Sequence, residues 1–364
     1  MPRYRATATL TIEPAPASLK ERAVTRGRAL RLGGDGSLYI SRGYNVLQSK
    51  DEGQTWTLRA GMPEQGIRRV ARLSRMAARL LRHEVKAFDE LRSGGCVAAN
   101  REGVYFARSG ERAMRASTVE AAGQPVKPPM TLTVGPNDRV LWGEYNSKTD
   151  HGLPVRLYVS DDGGAGYSIA RVFEGGSILH VHNLIYDARL NCYWVLAGDH
   201  GSQPGIGRLS ADLKDFEWIA KGEQRYRAVE VFDLGDTLVY ATDSEREQNA
   251  LMTFDKASGR FERGQEFQGS CIYACRFGGI FAITTTVEPS PVNASRSAQL
   301  LISRNAHDWT AVVSAEKDRW NPVYFQFGSI VLPRGTSPRE TLLYSGQALK
   351  ELDDLAIVAT ASGL

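Results

Sequence analysis

The chain has 364 residues, 42% hydrophobic and 24% charged, with 45 basic against 41 acidic residues and a formal net charge of +4. That composition supplies material for a large core and excludes a disordered or low-complexity chain. The mild basic excess makes no case for nucleic acid as a partner, and no stretch approaches the ~20 apolar residues of a membrane-spanning helix.

The four cysteines, Cys96, Cys192, Cys271 and Cys275, are widely spread apart from the last pair. On one strand that pair would stand roughly 13 Å apart, too far to bridge or to share a metal. Free buried thiols are expected, which fits a reducing compartment. The first 24 residues lack the apolar run of a signal peptide, so a cytoplasmic location is the expectation.

In chain order, residues 5–12 alternate polar and apolar and read as a strand. Residues 29–32, 37–41, 45–48 and 56–59 then read as four strands in succession, the first two joined by a Gly-Gly-Asp-Gly turn. Between the third and fourth lies Ser49-Lys50-Asp51-Glu52-Gly53-Gln54-Thr55-Trp56. Short Ser and Asp side chains hydrogen-bond backbone groups in a tight turn, Gly53 tolerates positive φ, and Trp56 offers a ring to bury. The pattern Ser-x-Asp-x-Gly-x-Thr-Trp resembles the Asp box of the sialidase-like (BNR repeat) β-propellers. The resemblance implies an all-β fold, a β-propeller whose blades are four-stranded meanders.

Similar units recur at a spacing of roughly 45–50 residues, as propeller blades do. The second starts near residue 85. The third ends in Ser160-Asp161-Asp162-Gly163-Gly164-Ala165-Gly166-Tyr167, a second box with Gly and Tyr in place of Thr and Trp. Degenerate turns follow at Ser210-Ala211-Asp212 and Ser303-Arg304-Asn305. Seven blades are expected, six being the alternative, in a single domain over residues 1–364 with residues 5–12 closing the last blade. One segment breaks the period. Over residues 66–82, Ile67, Val70, Leu73, Met76, Leu80 and Leu81 recur at helical spacing among Arg68, Arg69, Arg72, Arg75, Arg79 and Arg82. An inserted amphipathic helix is expected, docked by its apolar stripe with the arginines in solvent.

Strand direction places the candidate site. Neighbouring strands are antiparallel, so residues opening first strands and closing second strands converge at one mouth, opposite the box turns. First-strand openings supply Arg82, His83, His180, His182, Tyr226 and Arg227. Second-strand ends supply Arg42, Tyr44, Glu144, Tyr145, Asp199, His200, Asp243 and Glu245. Four of the six histidines fall on this rim, which marks it as a site. Glu144, His180, His182 and Asp243 are the candidate acid/base residues. Arg82, His83, Tyr145, Asp199, His200, Arg227 and Glu245 are the candidate substrate-binding residues. No cofactor is expected; a divalent metal on His180, His182 and His200, with Asp199, is the minority reading. A long loop over residues 288–296 is expected to overhang the same mouth.

Gly143-Glu144-Tyr145, His180-Val181-His182, Tyr186-Asp187, Gly198-Asp199, Tyr226-Arg227-Ala228-Val229 and Thr242-Asp243 resemble a bacterial sialidase-like subgroup found with polysaccharide genes. The resemblance implies glycan chemistry. A true sialidase is disfavoured, since the amino-terminal Arg-Ile-Pro element and an arginine triad are missing. The expectation is a glycosidase-like or lyase-like enzyme acting on an acidic oligo- or polysaccharide, its anionic group met by Arg82 and Arg227. The alternative is a non-catalytic propeller that binds glycan or serves as an interaction platform.

Overall fold

The computed structural model describes residues 18–63, 75–81 and 84–362. The expected strand at residues 5–12, most of the expected helix, and Arg82 and His83 lie outside the described residues. The chain folds as a seven-bladed β-propeller built on four-stranded antiparallel meanders, blade three carrying an added parallel strand, Thr118–Val119, at its outer edge. Blade one comprises Arg28–Leu32, Leu38–Arg42, Asn45–Ser49 and Thr57–Gly61. Blade four comprises His180–Asp187, Cys192–Gly198, Gly205–Ser210 and Phe216–Lys221. Blades two, three, five and six repeat the plan, their first strands being Ala87–Glu90, Thr133–Val134, Phe232–Asp233 and Ser270–Phe277.

Blade seven closes the ring. Gly328–Val331, Thr341–Gln347 and Leu355–Ser362 come from the end of the chain, and its outermost strand is Ser18–Arg26, paired antiparallel with Leu355–Ser362. The closing strand is thus a later segment than residues 5–12. Beyond Val331 the chain runs on as Arg334–Ser337, parallel to the first strands of blades one and six. From there the Arg334 guanidinium crosses the central channel. It donates to the Leu132 carbonyl at 2.7 Å and Asn183 Oδ1 at 2.6 Å, and pairs with Glu230 at 2.8 Å. Blades three, four and five are thereby tied to blade seven.

The core lies between blades. Tyr39, Val46, Phe88 and Ala98 pack blade one on blade two. Trp142 and Tyr158, stacked at 4.2 Å, meet Val97 and Phe106 of blade two, and Trp194 meets Tyr240 and Met252 of blade five. An inner strand with blades on both faces has no polar side, so Cys192–Gly198 and Ile280–Val287 are buried throughout. The four cysteines are free and buried.

The Ser49 turn joins the third and fourth strands of blade one, at the end away from the mouth. Ser49 Oγ donates to Asp51 Oδ1 at 2.8 Å and accepts from the Gly53 N–H at 2.8 Å. Asp51 also accepts from the Thr55 N–H at 2.9 Å and its hydroxyl at 2.6 Å, and Trp56 Nε1 donates to the Gly53 carbonyl at 3.1 Å. Ser160, Asp162, Gly164 and Gly166 repeat the clasp in blade three. Gly53 has φ +87°, and a Cβ there would stand 2.6 Å from Val358 Cγ2 of blade seven. Gly53→Ala therefore meets both backbone strain and a clash across the ring closure, and should cost about 2 kcal/mol. A chemical denaturation midpoint equal to wild type would refute this.

The helix that is described, Arg75–Leu81, reverses the expected polarity at its end. Arg79 is buried, donating to Asp318 at 2.6 Å with Asp353 3.8 Å away, whereas Leu80 is 50% exposed and Leu81 is also in solvent. The surface it meets carries two carboxylates and the Phe325 carbonyl, so a guanidinium fits there better than an apolar stripe.

Candidate functional site

The first strand of blade four opens on His180 and its second strand closes on Gly198, the two residues being paired. The register slips between Val181 and Asn183, so His182 is the extra residue of a β-bulge. Two apart on one strand, both imidazoles leave on the same side and meet at one point. His180 Nε2 and His182 Nε2 are 3.0 Å apart, and Asp199 Oδ1 lies 3.2 Å from the first and 3.0 Å from the second. Each Nδ1 faces a backbone carbonyl, Asn146 at 2.9 Å for His180 and Ala228 at 2.8 Å for His182. Gly198 permits the approach, since a Cβ there would stand 2.6 Å from His182 Cε1.

Arg227, just ahead of blade five, is nearly enclosed by carboxylates. Its Nη2 lies 3.0 Å from Asp199 Oδ1 and 3.3 Å from Asp243 Oδ2, and its Nη1 pairs with Glu245. Burial works against its charge, but Asp243, Asp199 and Glu245 outweigh that and hold it above its ordinary value. Burial would likewise raise Asp199; its close contacts with His180 and His182 instead hold it well below the usual carboxylate range. His180 is pushed down, chiefly by burial. Asp243 Oδ1 is buried with no hydrogen-bond partner among the described residues. His200 turns from the pair toward Glu245, its Nδ1 3.4 Å from Oε1.

Tyr145 bridges to His180 across the blade boundary and stacks on its ring, centroids 3.9 Å apart at 16°. It is 40% exposed, leaving ring surface open to a ligand. Glu144 faces the other way. Its carboxylate is 1% exposed and takes four donors: Arg156 Nη2 at 2.7 Å, Arg156 Nε at 2.9 Å, and the N–H groups of Lys127 at 2.9 Å and Arg156 at 3.0 Å. Such a saturated carboxylate is a structural anchor, so the expected acid/base role for Glu144 is corrected. Arg42 is also turned out, bonded to Thr25 and the Arg26 carbonyl.

One residue outside the expected set joins this group. Glu288 directly follows Ile280–Val287, the second strand of blade six. Burial first, then Asp243, Glu245 and Asp199, push its carboxyl up to about 7, against the pull of Arg227. The rule that selected Asp199 and Asp243, the residues just past a second strand, selects Glu288 equally. Assigning its segment to a covering loop hid it.

No family model matches the sequence, and no curated protein does. Solved structures share the fold. An oligogalacturonate lyase in complex with manganese is 10% identical, covers 96% of this chain and 97% of its own, and has a TM-score of 0.59. The oligogalacturonate lyase of Vibrio parahaemolyticus is 10% identical over 96% and 98%, TM-score 0.60. A chain of the mitotic checkpoint complex is 12% identical over 98% of each, TM-score 0.57. These likenesses establish the propeller architecture.

Proposed function

We propose that the mouth formed by blades three to six is the active site of an enzyme that cleaves glycosidic bonds, with Glu288 as its proton-transfer group. The observation that carries this reading is the gathering of Asp199, Asp243 and Glu245 around Arg227 at one mouth, where Glu288 is pushed up to about 7 while Asp199 is held well below the usual range. Carboxyl groups driven apart in this way divide acid from base work near neutral pH. Glu288 would protonate the departing glycosidic oxygen. Asp243, with a free Oδ1, is the carboxylate that would meet the reacting carbon or its proton. The open face of Tyr145 suits a sugar ring.

The substrate is read as a saccharide. Recognition of an acidic group by Arg227 is not supported, because three carboxylates already neutralise that guanidinium. The clasps at Ser49 and Ser160 support reading both turns as Asp boxes and the chain as sialidase-like. Four free buried thiols are consistent with a cytoplasmic enzyme. The shared architecture with two oligogalacturonate lyases makes oligogalacturonate the first substrate to try.

Incubating the purified protein with oligogalacturonate and a panel of neutral and acidic oligosaccharides, followed by mass spectrometry, tests the proposal. Shortened products are expected. An alkene in the new chain end would mark a lyase, and uptake of water a hydrolase. Binding without any product across the panel would instead favour a non-catalytic glycan-binding propeller.

A further inference from the structure

His180, His182 and Asp199 close a triangle of ligand atoms, and we propose that this triangle binds one divalent first-row transition-metal ion. The inference concerns the same mouth as the proposed active site but stands on its own geometry. A backbone carbonyl only accepts, so the contacts of Asn146 with His180 Nδ1 and of Ala228 with His182 Nδ1 assign the ring protons to both Nδ1 atoms. Both neutral rings then present Nε2 lone pairs, and they present them to each other and to an anionic oxygen.

Three acceptors with edges of 3.0, 3.0 and 3.2 Å repel unless a cation lies among them. Metal–ligand bonds of about 2.1 Å meeting at right angles place neighbouring ligand atoms about 3.0 Å apart, which is the size of this triangle. Two imidazoles and one carboxylate on a single face leave the opposite positions of an octahedron open, an arrangement suited to ions such as Fe(II), Mn(II) or Co(II).

The supports around the triangle are those a metal site needs. Each ring is fixed through its second nitrogen, and Asp199 Oδ1 is held by Arg227 Nη2 at 3.0 Å, so each ligand has an outer partner. All three residues are buried and sit on or beside the two innermost strands of one blade. Asp243 and Glu245 add negative charge nearby through Arg227. The set keeps His180, His182 and Asp199 of the expected group and loses His200, which is directed to Glu245. The open positions would take oxygen donors such as a pair of sugar hydroxyls or a carboxylate.

The test is a Co(II) titration of chelator-stripped protein, followed by visible absorption and by native mass spectrometry. Wild type is expected to take up one ion per chain. His182→Ala and Asp199→Asn should weaken uptake by more than the roughly 10–100-fold that loss of an outer-shell partner costs, while His200→Ala keeps one equivalent. Absence of stoichiometric uptake by wild type would overturn the proposal and leave a shared proton as the cation, a result that does not depend on any variant folding. Full retention in both ligand variants, or loss in His200→Ala, would overturn the assignment of residues. Turnover is not read, so failure of glycan cleavage and failure of metal binding are separate outcomes.

Discussion

Replacing Glu288 with glutamine is expected to lower kcat by about 10²- to 10⁴-fold, the usual contribution of a positioned acid. The same substitution should raise stability above neutral pH. The group's pKa is raised from an ordinary 4.5 to about 7 in the fold, by burial and by Asp243, Glu245 and Asp199. A carboxyl with a raised folded value contributes stability that is fully present below about pH 4.5 and is lost as pH rises through about 7. Glutamine, uncharged throughout, does not lose it. At pH 8 the variant should therefore exceed wild type by about 2–3 kcal/mol, and near pH 4 the two should be close. Wild-type kcat/KM should fall across the same interval as the acid ionises. Thermal melts at the two pH values and a pH–rate profile check each part. Equal stability of variant and wild type at pH 8 would mean Glu288 is solvated and ordinary.

Arg156→Ala should cost about 3–5 kcal/mol of stability, the second large effect. Glu144 is 1% exposed and Arg156 4%, and the guanidinium provides two of the four hydrogen bonds to that carboxylate. Removing it leaves a buried anion with only two backbone donors, Lys127 and Arg156 itself. The guanidinium also holds the carbonyls of Ala121 and Pro125, so the segment leading into blade three should loosen with it. Urea denaturation reads the loss. Turnover per folded molecule should change far less than in Glu288→Gln. A Glu144→Gln variant that kept wild-type stability and lost all turnover would reverse this assignment and restore Glu144 as a reacting group.

These two carboxylates show where sequence reasoning reached and where it stopped. The box at Ser49 and its echo at Ser160 gave strand direction, and direction alone gathered His180, His182, Asp199, Arg227, Asp243 and Glu245 at one mouth. Which way a side chain leaves the strand there was not legible. Glu144 and Tyr145 are neighbours and must face opposite ways, but the choice is decided by Arg156 in the next strand, twelve residues on. His180 and His182 share a side by their spacing of two, but that Asp199 Oδ1 closes on both was not legible. Arg227 looks like an anion receptor when read alone, and only the ring brings three acids around it. Arg79 was misread for a related reason. A helical stripe reports amphipathicity but not the polarity of what it lands on, and Asp318 comes from a segment 239 residues away.

The Arg334 crossing has a consequence for traffic. His182 and Asn183 are consecutive, and the guanidinium holds Asn183, so the bar lies one residue beneath the cluster. A polymer cannot run through the ring from one end to the other. Whatever binds at this mouth enters and leaves by a single door. On the proposed reading, a saccharide would lie across the mouth or end on the bar, and would not thread the ring.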